Sequence, residues 1–133
     1  MRYYVVLGAA IFLAACQGSA LEPGDTLSGH WFNPDASLDA SQSGVVFQPP
    51  CERAEFGPIV LDDHRAFAAD SRVFTERGNI IQFPDDRLHI QGNVAGNRIN
   101  VTFYVTRASG GSSDPVAMTL VLGKTQPVLV CVA

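Results

Sequence analysis

Asp62-Asp63-His64 places two carboxylates beside an imidazole, the residue types of a metal site or an acid/base pair. The spacing works against both. Adjacent residues of a strand point to opposite faces, so these side chains converge only if the chain turns there. The expected role is a solvated turn. Asp85-Asp86, directly after Pro84, has a turn composition for the same reason. His30 and His89 stand alone among apolar or alternating residues, and His89 belongs on the polar face if Leu88 and Ile90 point inward. A Ser-His-Asp triad can be assembled from distant positions. The sequence has no Gly-x-Ser-x-Gly elbow, no His-Glu-x-x-His and no P-loop. Cys51 and Cys131 are far apart, and no Cys-x-x-Cys pair supplies a zinc signature. The expectation is a protein that is not an enzyme and holds no cofactor or metal.

Cys16 has a different setting. Arg2 supplies a short positive region, and residues 3–15 are uncharged and rich in Val, Leu, Ile and Ala. The run is shorter than the roughly 20 apolar residues a membrane span needs, and it fits a secretory signal ending in small residues. Leu13-Ala14-Ala15-Cys16 resembles the lipobox of bacterial lipoprotein precursors. The resemblance implies that residues 1–15 are a signal helix that is cleaved. Cys16 then becomes the first residue of the mature chain, acylated on its thiol and often on its amino group. The membrane becomes a partner through that lipid. Each buried methylene contributes about 0.8 kcal/mol, so two or more acyl chains anchor firmly. Gln17 stands where the inner-membrane retention signal of that family usually has Asp, which implies the outer membrane, facing the periplasm. With Cys16 acylated, Cys51 and Cys131 remain, and an oxidising envelope favours their pairing. Closing so long a loop would contribute roughly 4–5 kcal/mol.

The elements that carry these residues read as β. The net charge is −4, with 9 Lys+Arg against 13 Asp+Glu, and no basic run occurs. Nucleic acid is therefore not an expected partner, since phosphate binding needs a basic patch. Residues 16–28, rich in Gly, Ser, Pro and Asp after the lipidated cysteine, read as a flexible tether. Residues 29–133 then form one domain. Its clearest strand covers residues 98–106, where Ile99, Val101, Phe103 and Val105 alternate with polar positions. Residues 88–91 alternate likewise, with Gly96-Asn97 as a turn between. Residues 79–83 complete a meander. Weaker strands are expected at 31–32, 45–47, 59–61, 72–75, 116–122 and 128–132. Residues 33–44 read as a long polar loop, residues 109–113 as a mobile one, and residues 63–71 as a strand or a helical turn capped by Asp63. About eight short strands predict an all-β fold, a small antiparallel up-and-down barrel or a sandwich.

Gly29-His30-Trp31 matches the Gly-x-Trp of the first strand of lipocalin-like barrels, and the mature domain resembles a small member of that group. The resemblance implies that Trp31 plugs one end of the barrel and that Gly29 permits close packing. Lipocalins usually place a late basic residue on that Trp; Arg107 and Lys124 are the candidates here. Ser43-Gly44-Val45-Val46-Phe47 resembles a Ser-Gly loop of one lysozyme-inhibitor family, with Phe47 where that family has tyrosine. The function expected is a binding module for an envelope protein or a small apolar ligand, with residues 33–44 and 108–114 as recognition loops. The alternatives are an accessory component of an envelope assembly, or a periplasmic inhibitor of lysozyme or a protease.

Overall fold

Strict period-two alternation buries one face of a strand and wets the other, and here that pattern closes a sheet on itself. The computed structural model describes residues 21–50, 52–75 and 85–123. Eight strands follow in chain order: β1 (Gly29–Phe32), β2 (Ser37–Ser41), β3 (Gly44–Gln48), β4 (Glu52–Phe56), β5 (Ala66–Thr75), β6 (Arg87–Ala95), β7 (Arg98–Thr106) and β8 (Val116–Leu122). Each pairs antiparallel with the next, and β8 returns to β1, so the fold is a closed up-and-down barrel rather than a sandwich. No helix occurs among the described residues. The signal segment, the three cysteines, Lys124 and the strands expected at 79–83 and 128–132 lie outside the described residues.

The register sets most large apolar side chains on one face. Leu88 pairs with Val105, Ile90 with Phe103 and Val94 with Ile99, and Ile99 in turn pairs with Leu120. Across the closure Trp31 pairs with Leu122, and onward Trp31 pairs with Leu38 and Leu38 with Phe47. These residues fill the interior. Leu38, Phe47, Leu88, Ile99 and Leu120 are completely buried, each contributing about 1.5–3 kcal/mol over an exposed side chain. Phe47 and Phe103 meet edge to face across the barrel, centroids 5.2 Å apart, so its middle is packed solid. Gly92 makes room for this packing: a Cβ there would lie 2.7 Å from the Asn100 carbonyl oxygen and 2.8 Å from the Phe67 ring. The opposite face of the long strands carries Asp70, Arg87, His89, Gln91, Asn93, Asn100 and Thr102. That polar outer wall is the inverse of a membrane-spanning barrel, which is apolar outside.

Two segments differ from the sequence-based expectation, and a third settles an alternative it left open. Residues 33–44 are not one loop: they hold β2, flanked by a turn at residues 33–36 and a two-residue hairpin turn. Residues 66–71 are the first half of β5, since seven register pairs with β6 override a short Ala-rich helical preference. Residues 59–61 form no barrel strand. Instead they pair with the N-terminal segment, Thr26 bridging to Val60. The described part of the expected tether, residues 21–28, is accordingly docked on the barrel, with Leu27 fully buried and Leu21 packed against the core.

Candidate functional site

The two ends of the barrel are built differently. At the base, where β1 begins, the Leu27 N–H donates to the Ile59 carbonyl (2.7 Å), Leu61 to Asp25 (2.9 Å) and Gly24 to Leu61 (2.9 Å). This strap brings Leu27, Ile59 and Leu61 into the core. Trp31 is buried next to it, its Nε1–H donating to the Ser28 carbonyl at 3.0 Å. Gly29 has φ +110°, and a Cβ there would fall 2.8 Å from Leu122 Cδ1 and 3.2 Å from Trp31 Nε1. Only glycine lets β1 approach the indole so closely.

The other end is a mouth. Phe103 and Val105 of β7, Val73 of β5 and Val116 of β8 give it an apolar floor and wall, above which lie Glu52, Asp86, Arg107, Ser113 and Asp114. The cavity between them holds about 360 Å³, at the small end of ligand pockets. Its far wall is residues 107–115. The Ser113 N–H donates to the Val105 carbonyl and Ser113 Oγ accepts from the Val105 N–H, both at 2.8 Å. Arg107 donates to Gly111 (3.0 Å), and a bridge joins Thr106 to Ser112. The Ser-Gly segment expected to be mobile is thus pinned as a short hairpin. Asp86 is buried and accepts the Ala108 N–H at 2.9 Å, tying this hairpin to the start of β6. Burial pushes the Glu52 carboxyl above its ordinary range, against the opposing pull of the Arg107 guanidinium. Glu52 and Arg107 face the cavity with no ion pair between them.

The residues singled out for chemistry do not converge. Asp62 accepts the N–H groups of His64 (2.8 Å) and Ala66 (2.9 Å), forming the expected turn. Those two backbone donors, Ala66 first, hold its carboxyl below the usual carboxylate range. His30 contacts Asp39 on the outer wall of β1 and β2. His89 lies on the outer face of β6, stacked on Tyr104 with centroids 4.8 Å apart and 2.9 Å from Thr106 Oγ1. Ser43 sits in the tight β2–β3 turn at the base, hydrogen-bonded to Ser41. Arg107 lies at the mouth, at the opposite end from Trp31, and does not cover that indole. Among the described residues no group of three or more His, Cys, Asp or Glu side chains is placed to hold a metal ion.

Asp86 differs most from its sequence reading: a residue with turn composition proves buried and structural. Glu52 carried no sequence signal at all, while Ser113 and Asp114 fall within the loop expected to serve recognition. The arrangement can seat a small apolar group on Phe103, Val105 and Val116 and present a carboxyl and a guanidinium to a polar head. Among the described residues it contains no nucleophile hydrogen-bonded to a base. No protein-family model matches the chain, and the searches of curated proteins and of solved structures also find no match.

Proposed function

We propose that this chain is a lipid-anchored lipoprotein of the bacterial envelope whose barrel is a binding module, taking a small ligand with an apolar body at its mouth. The observation that carries the reading is the cavity above Phe103, apolar below and ionisable at the rim among the described residues, whereas the other end is filled by Leu27, Ile59 and Leu61. The packed Phe47–Phe103 contact limits the ligand to that depth. The lipobox at Cys16 supports the anchor, and the polar outer wall supports a domain that stands in water. The buried Trp31 beside Gly29 supports the lipocalin-like reading of the barrel. The same reading has Cys51 paired with Cys131 in the oxidising compartment. The small ligand is favoured over an inhibitor because the Ser43 loop is a two-residue turn that does not protrude.

The test is a fluorescence titration of the acylated protein with N-phenyl-1-naphthylamine, an apolar probe that brightens out of water. Saturable binding is expected, and Val116→Asp should weaken it by about tenfold, the equivalent of roughly 1.4 kcal/mol. An unsaturable signal, or an unchanged one in Val116→Asp, would remove the mouth as the site. Recovery of one stoichiometric envelope protein from solubilised membranes would replace the small ligand with a protein partner.

A further inference from the structure

We infer that the lipid anchor holds the base of the barrel against the bilayer surface, so that the mouth faces away from the lipid and draws its ligand from the aqueous phase. The inference rests on the proposed acylation of Cys16. Its structural part is the strap. Arg65 stands in the left-handed region, φ +57°, uncommon for a residue with a Cβ. From there its Nε–H donates to the Leu21 carbonyl at 3.0 Å and its Nη2 pairs with Glu22 at 3.3 Å. Its own carbonyl accepts the Val94 N–H at 2.9 Å. Leu21 packs on the core, and the backbone bonds of Gly24, Asp25 and Leu27 follow at once. The chain is therefore fixed to the base from Leu21 onward.

Only a short stretch separates that point from Cys16. Five residues span at most about 18 Å when fully extended, and about 12 Å on average as a flexible coil. The mouth is farther away. The nine residues of β7, at about 3.3 Å each and tilted by about 40°, put the rim some 20–25 Å above the base. An anchor on so short a lead keeps the base nearer the headgroups than the rim. Val60, on the outside of the strap and 60% exposed, is the exposed large apolar side chain at that end among the described residues. At that end the carboxylates of Glu22, Asp25, Asp62 and Asp63 outnumber the described cations Arg65, which pairs with Glu22, and Arg98, so the surface met there is zwitterionic rather than anionic lipid.

Depth-dependent quenching tests this. The full acylated protein would carry a coumarin amino acid in place of either Asn97, exposed at the base, or Ser109, exposed on the mouth hairpin. It would be reconstituted in phosphatidylethanolamine–phosphatidylcholine vesicles containing a headgroup nitroxide lipid. Quenching should be several-fold stronger at the base. Inserting about twelve Gly/Ser residues after Ser19 should largely abolish the difference by doubling the average reach. Equal quenching, or stronger quenching at position 109, in protein that floats with the vesicles would overturn the orientation and leave the anchor standing. A difference that survives the insertion would overturn the short lead as its cause. Protein that fails to float would overturn the anchor and the orientation together.

Discussion

The base and the mouth are made from the ends of the same eight strands, and they resolve the end of a barrel in opposite ways. At the base, an N-terminal strap and residues 57–65 pair with each other and place Leu27, Ile59, Leu61 and Trp31 over the opening. Backbone hydrogen bonds tie the two segments together, and apolar side chains fill the space between them and the barrel. At the mouth, the hairpin of residues 107–115 is also internally bonded, but it borders the opening rather than crossing it, and Glu52 and Arg107 face the cavity unpaired with each other. One end contributes stability; the other tolerates an apolar wall and a half-buried carboxyl that stability alone would not select. Such local departures from good burial are where a binding role is expected.

That contrast can be broken by mutation. Trp31→Ala empties the largest side chain beside the strap and should cost about 3–5 kcal/mol, read as a lower urea midpoint at unchanged slope. A loss no larger than that of a surface substitution would mean that the base is not the stabilising end. Asp86→Ala removes the buried, charged acceptor of the Ala108 N–H and should cost about 1–3 kcal/mol. Asp86→Asn, which keeps an acceptor oxygen, should recover most of that, and no recovery would detach the effect from this bond.

The subtlest difference lies in pH dependence, where the two ends have opposite signs. The Asp62 carboxyl is lowered from 3.8 by the Ala66 and His64 donors, so it stabilises the fold above that value and the contribution is lost as pH falls through the folded pKa. The Glu52 carboxyl is raised from 4.5 chiefly by burial. The folded state binds that proton more tightly, so its contribution is fully present below 4.5 and is lost as pH rises through the folded pKa. Glu52→Gln should therefore raise the melting temperature at neutral pH and give no gain in acid. Asp62→Asn should lower it at neutral pH and converge with wild type in strong acid. Parallel profiles for the two variants would remove the distinction.

The barrel was legible where alternation involves large side chains. The spans of β7 and β8 follow directly from residues 98–106 and 116–122, because each strand has bulky apolar residues on one face. β2 was not legible: Ser37-Leu38-Asp39-Ala40-Ser41 contains a single large apolar residue, and its pairing with both neighbours decides its state. Leu21 and Leu27 were too few to mark residues 21–28 as docked, since their partners lie more than thirty residues away. The mouth was less legible still. Glu52 follows a Pro-Pro turn, Asp86 follows Pro84, and Arg107 opens a Gly-Ser hairpin, so each has an ordinary local explanation. Asp86 becomes a buried acceptor only when Ala108 arrives beside it. No spacing within one segment encodes that meeting.

The closure of the barrel is uneven. Among the described residues β6 and β7 share nine register pairs, from Arg87 with Thr106 to Ala95 with Arg98, whereas β1 and β8 share two, Trp31 with Leu122 and Phe32 with Val121. This seam has the fewest register pairs of the barrel among those residues. Brief separation there would expose the edges of β1 and β8 to a neighbouring chain, and free edges are templates for strand exchange and aggregation. Under the proposed lipid anchor, confinement to a membrane surface would bring copies of this protein together in two dimensions. The seam would then limit how densely they could crowd before edges began to pair.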